Sequence, residues 1–135
     1  MTDSAQVSRG LLDTSVIVDF QALGDRLPDE FAISAITLAE LSAGLHTTND
    51  PLKRAQRQLR LQWIESTFAP LPFDTEAARA YGSVAALVLA AGRKPRKRVA
   101  DLQIASISIT HGFPLYTRNP EDFKGLEAFL DVVAL

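Results

Sequence analysis

The sequence predicts a single α/β domain with a central, mostly parallel sheet layered between helices. Three observations lead there. Short apolar runs of strand length alternate with longer stretches whose apolar residues recur every three to four positions. Gly24, Pro51, Gly92, Gly112 and Pro120 stand at the joints between them. Strands that alternate with helices in this way pair in parallel and are covered by helices on both faces.

Each element follows in order. Residues 1–9 read as a loose N-terminal tail before a domain spanning 10–135. Leu11 and Leu12, bounded by Gly10, read as the end of a short buried strand. Val16, Ile17 and Phe20 then recur at helical spacing, predicting a helix over 16–23 that Gly24 ends. Residues 31–35 read as a second strand and 37–45 as a second helix, capped by Ser34 or Thr37. Asn49-Asp50-Pro51 is a strong helix start, a capping side chain before a proline. That helix runs to about Phe68, with Leu59, Trp63, Ile64 and Phe68 on its buried side.

Residues 70–73 carry two prolines and read as a short edge strand. Asp74 to Ala77 caps an Ala-rich helix to Ala91, ended by Gly92. A basic turn at 93–97 leads into a helix over 99–111, closed by Gly112. Residues 113–117 are the next strand, Asn119-Pro120-Glu121 opens a helical turn, and 126–135 supply the last strand.

The bulk numbers exclude several classes. At 135 residues, one domain buries roughly two-thirds of its unfolded surface. Hydrophobic content of 47% with 22% charge argues against disorder. Cysteine is absent, so disulfides, thiol nucleophiles and thiolate zinc sites are excluded. His46 and His111 are too few for a His-rich metal site; His111 precedes the helix-ending Gly112 and His46 follows a helix end. The apolar run Val84–Ala91 is far short of a membrane span, and the N-terminus lacks a signal-peptide core. The expectation is a soluble, cytoplasmic protein without membrane association.

A net charge of −2 does not by itself suggest nucleic acid, but the distribution is uneven. Lys53, Arg54, Arg57 and Arg60 form one basic cluster, and Arg93, Lys94, Arg96, Lys97 and Arg98 another. Such clusters are either solvated faces or grips for a polyanion.

Four acidic residues stand beside apolar structure. Asp13 sits where the first strand stops and a helix begins, the edge at which open α/β sheets bind ligands. Glu40 interrupts the apolar stretch of the second helix. Asp101 lies in the first turns of the 99–111 helix, and Asp122 follows the strand ending at Thr117. In a parallel sheet these places share one edge. Taken singly, each has a plain explanation: Glu40 an exposed helix position, Asp101 a helix-dipole partner or an ion pair with Arg98 or Lys97. Taken together, several carboxylates without thiol or imidazole select a hard cation, Mg²⁺ or Mn²⁺. The chemistry suited to such a site is phosphodiester hydrolysis.

The residues 11–15 (Leu-Leu-Asp-Thr-Ser), 37–41 (Thr-Leu-Ala-Glu-Leu), 98–105 and 112–123 together resemble a PIN domain, specifically the VapC-type toxins of bacterial toxin–antitoxin pairs. Order, spacing and length agree over nearly the whole chain. The resemblance implies a three-layer α/β/α PIN-like fold and a Mg²⁺- or Mn²⁺-dependent endoribonuclease that cuts a cellular RNA. It also implies neutralisation by a VapB-like antitoxin whose tail enters the acidic groove, and a homodimer. On the matching positions Asp13, Glu40 and Asp101 would be metal ligands. Thr14 or Ser15, with Thr117, would position a water or a ligand. The fourth acid departs from pattern: many relatives carry one where this chain has Asn119, others just before the phenylalanine, here Asp122. The expectation is Asp122, acting through water; with Asn119 in the key position a one-metal site follows.

Two other readings compete. One is a catalytically weak PIN-like module that binds RNA or a protein partner in its acidic groove. The other is a phosphoryl-transfer enzyme with Asp13 as nucleophile. Against the latter, Ser15 stands where a phosphatase of that kind wants a second aspartate. Trp63 reads as core or dimer interface rather than a base-stacking platform, and Asp19 as surface.

Overall fold

Leu11 and Leu12 sit side by side on one strand and face opposite layers, as the two-residue period of a strand requires. Leu11 joins Val84, Val88, Leu102, Ile107 and Leu115 in one core cluster, and Leu12 joins Val16, Ile17, Ile33, Leu41 and Ile64 in the other. A sheet with an apolar layer on each face is the three-layer α/β/α arrangement. The structure, a computed structural model, describes residues 7–135.

Four strands form the sheet: β1 (Arg9–Leu12), β2 (Glu30–Ala32), β3 (Leu115–Thr117) and β4 (Val132–Ala134). All pair in parallel, in the order β2-β1-β3-β4. After β1 the chain moves to one side for β2, then crosses to the other for β3. The strand order therefore reverses between β1 and β3, where an open sheet leaves a crevice at its C-terminal edge.

The helices are α1 (Thr14–Val18), α2 (Phe20–Leu23), α3 (Ala35–Gly44), α4 (Pro51–Thr67), α5 (Thr75–Ala90) and α6 (Val99–His111). Their starts follow local chemistry. Ser34 caps α3 by accepting from Thr37 N–H, Asp50 caps α4 ahead of Pro51, and Asp74 caps α5. Gly112 ends α6 in the left-handed conformation, with φ of 69°.

Several expectations are corrected. The helix expected over 16–23 is two pieces, because Asp19 leaves the helical region at φ −107° and ψ 21°. Phe20 after this break packs edge-on against Phe31 and Trp63. The stretch 70–73 gives one bridge, Leu71 with Ser34, rather than a strand. The last strand shrinks to β4. Leu126 and Leu130, four apart, are held by a Leu130 N–H to Leu126 C=O bond of 2.9 Å and enter the core as a helical turn would.

On α4 only Ile64 is fully buried. Leu59 is 67% exposed, and the inner stripe runs instead through Leu61, Ile64 and Phe68. Trp63 lies half outward on the rim of that aromatic cluster. Of the expected tail, residues 1–6 lie outside the described residues, whereas Arg9 belongs to β1 and Ser8 bonds Asp29 on the neighbouring loop. Among the described residues, no helix is long and apolar enough to cross a membrane.

Candidate active site

Asp13 follows β1 directly and caps α1. Its Oδ1 accepts from Thr14 N–H at 2.9 Å, and its Oδ2 accepts from the hydroxyls of Ser15 at 2.9 Å and Thr117 at 2.8 Å. The residue is only 4% exposed, and these three donors offset the loss of water around its carboxylate. The two hydroxyls are themselves held by backbone: Arg118 N–H donates to Ser15 Oγ and Asn119 N–H to Thr117 Oγ1. The ends of β1 and β3, adjacent in the sheet, are thus tied through one buried acid.

Glu40 comes from α3. Thr14 Oγ1 donates to Glu40 Oε1 at 2.6 Å and lies 3.0 Å from Thr37 Oγ1, one helical turn before Glu40. The rest of Glu40 faces solvent at the mouth of the crevice.

Asp101 lies half-buried in the first turn of α6. Its carboxyl is pushed up to about 6, first by burial and then by the negative charges of Asp122, Asp13 and Glu40, with Arg98 pulling the other way. Each of the three other acids therefore acts on Asp101.

Asp122 stands in the 3₁₀ turn Pro120–Phe123, and its Oδ1 accepts from Arg98 Nη1 at 3.0 Å. Of the plain explanations for Asp101, the ion pair with Arg98 is not formed, because Arg98 pairs with Asp122 instead. Asn119 is exposed and enters the network through its backbone N–H to Thr117. The basic turn divides in two. Arg93 Nη1 donates to the Glu121 carbonyl and Arg98 to Asp122, whereas Lys94, Arg96 and Lys97 are exposed, without an ion pair among the described residues.

The donor set fits a hard divalent cation in its chemistry: four carboxylates and three hydroxyls, all oxygen. Among the described residues no three acids are already gathered closely enough to enclose an ion.

Other residues lie elsewhere. His111 ends α6, roughly 15 Å along the helix from Asp101, and stacks on Phe113. His46 is exposed after α3, and Asp19 is a surface residue paired with Arg118 at 3.5 Å. Sequence reasoning missed Thr37 as a support for the site and saw it only as a cap. Its signal was present: a hydroxyl three residues before Glu40, hence on the same helix face. It also missed that Arg98 would choose Asp122.

The family model described as the PIN domain matches residues 10–127. The chain is similar to Ribonuclease VapC5 of Mycobacterium tuberculosis, with 32% identity covering 96% of each chain. It is likewise similar to Ribonuclease VapC of Rickettsia bellii, with 34% identity over 71% of this chain and 70% of that one. Its backbone matches that of a chain in the crystal structure of VapBC-5, a toxin–antitoxin system of Mycobacterium tuberculosis. The TM-score there is 0.81 at 30% identity, covering 95% of this chain and 99% of that one. A chain of FitAcB from Neisseria gonorrhoeae matches with a TM-score of 0.75 at 29% identity, covering 90% and 94%. With its parallel sheet, its acid-lined edge and these relatives, the chain belongs to the PIN domain family, in the VapC group.

Proposed function

We propose that this protein is an endoribonuclease toxin that hydrolyses RNA phosphodiester bonds with Mg²⁺ or Mn²⁺ and is neutralised by a VapB-like antitoxin. The observation that supports it most is Asp101, whose carboxyl feels the charges of Asp13, Glu40 and Asp122 from three other parts of the chain. A groove so loaded with negative charge suits a divalent cation and the phosphate it neutralises.

Asp13, Glu40 and Asp101 would hold the ion, with Asp122 adding negative charge beside them. When bound, the cation supplies an activated water and neutralises charge on the phosphate. Ser15 and Thr117 fix the carboxylate plane of Asp13, and Thr14 fixes Glu40, so the acids keep their orientation between turnovers. Lys94, Arg96 and Lys97 lie on the turn that leads into α6, where they would grip the RNA backbone. The named relatives are ribonucleases, and solved neighbours are toxin–antitoxin complexes, which supports an antitoxin as partner. A homodimer in the cytoplasm completes the reading.

The test is incubation of antitoxin-free protein with total RNA in Mg²⁺, Mn²⁺ or EDTA, beside Asp101→Asn. Discrete cuts that need metal and vanish in the variant support the nuclease. A folded protein that neither cuts nor binds Mn²⁺ overturns it.

A further inference from the structure

Of the basic cluster 93–98, Arg98 is the residue whose side chain pairs with an acid of the groove. It has two candidate partners. Asp101 is three residues ahead on its own helix, and Asp122 lies on a separate 3₁₀ turn. The guanidinium takes the distant one, with Nη1 3.0 Å from Asp122 Oδ1. This pair is also the most sheltered of the three ion pairs among the described residues. Its side chains are 27% and 37% exposed, against 64% and 58% for Arg9–Glu30 and 36% and 49% for Arg118–Asp19. Shelter matters because solvent weakens exposed pairs towards nothing.

The 3₁₀ turn is held from a second side. Arg93, from the same basic turn, donates Nη1 to the Glu121 carbonyl at 2.6 Å. Two arginines thus clasp adjacent residues of one short turn and set where the Asp122 carboxylate stands. A cation that sought Asp122 would have to share its carboxylate with Arg98, which already holds Oδ1 and offsets its charge. The charge of Arg98 is felt at Asp101 as well.

We propose that Arg98 is a positioning residue of the acid groove: it engages Asp122 as a built-in counter-ion, so that a single divalent cation is left to Asp13, Glu40 and Asp101. This rests on the metal-site reading above. It replaces the expectation of Asp122 as a ligand with a role for Asp122 as the anchor of Arg98.

The test is Mn²⁺ binding to the full chain by calorimetry, with stoichiometry from electron paramagnetic resonance of free Mn²⁺. Folding of each variant is checked by circular dichroism. The wild type should bind one ion, and Asp122→Asn should change its affinity less than about threefold. Arg98→Gln frees Asp122 and should tighten Mn²⁺ by roughly two- to fivefold, the scale of a partly exposed charge pair. That gain should vanish in the Arg98→Gln, Asp122→Asn double variant. Arg98→Met keeps the side-chain stem without the charge and should tighten Mn²⁺ likewise, which covers the case in which Arg98→Gln does not fold. Loss of tenfold or more in affinity in Asp122→Asn, or no tightening in Arg98→Gln, would overturn the inference. A wild type that binds no Mn²⁺ would overturn the metal reading itself, and the inference with it.

Discussion

Thr14 and Glu40, 26 residues apart, meet through a 2.6 Å hydrogen bond between the threonine hydroxyl and the glutamate Oε1. The bond ties the first turn of α1 to the middle of α3 and orients a carboxylate that is otherwise exposed. Thr14→Val keeps the shape and removes the donor. Stability should fall by about 1 kcal/mol, a typical net value for such a bond. Mn²⁺ affinity should fall about threefold and RNA cleavage about tenfold, because a mobile Glu40 is a poorer ligand. Cleavage equal to wild type would show that Glu40 needs no positioning.

Glu40→Gln removes the charge itself and retains the acceptor for Thr14. Mn²⁺ affinity measured by calorimetry should drop at least tenfold with the melting temperature almost unmoved. Undiminished binding would remove Glu40 from the ligand set.

Asp101 links the groove to pH. Its folded value, about 6, lies above the ordinary 3.8, so folding favours the protonated acid. The protein therefore gains from Asp101 at low pH, and this gain is lost as the pH rises through about 6. Without metal, Asp101→Asn should match wild type near pH 4 and exceed it at pH 8. The margin should be about 1 kcal/mol once the half-exposed carboxylate is discounted for solvent screening. Denaturant midpoints at the two pH values measure this, and equal stability at pH 8 would contradict it.

The exposed cations of the basic turn should act through phosphates. Replacing Lys94, Arg96 and Lys97 together by alanine should lower the slope of log affinity for RNA against log salt by about 2, at roughly 0.7 per contact for single strands. Arg93 and Arg98 are left in place because they clasp the 3₁₀ turn. A slope unchanged in the triple variant would assign RNA binding to another face.

Gly10 is a packing requirement. A Cβ at this buried position in β1 would run into the ring of Tyr116 on β3 and approach the Pro114 carbonyl at 3.3 Å. Gly10→Ala should destabilise by about 1–3 kcal/mol, the range for overfilling a packed core. Thermal melting measures this, and a melting temperature unchanged from wild type would mean that Tyr116 gives way freely.

Local chemistry is what the sequence by itself determined. Alternating strand and helix patterns required a parallel sheet, because each crossover returns the chain in the same direction. Pro51, Gly112 and the caps Ser34, Asp50 and Asp74 set helix ends within a residue or two, since a cap satisfies backbone groups beside it in the chain. The acids Asp13, Glu40, Asp101 and Asp122 were legible as charges beside apolar neighbours. Tertiary structure alone decided what each one meets. Whether Leu59 or Leu61 turns inward on α4 depends on where α4 docks. Leu126 and Leu130 enter one core cluster from a turn closed by the Leu130 N–H to Leu126 C=O bond, a choice that depends on the core they meet. Arg98 pairs with Asp122 rather than with its helix neighbour Asp101 because folding brings a second acid, 24 residues away, to hydrogen-bonding distance. Spacing along a chain specifies neighbours on one helix or strand, whereas partners across the crevice exist only once the layers have packed.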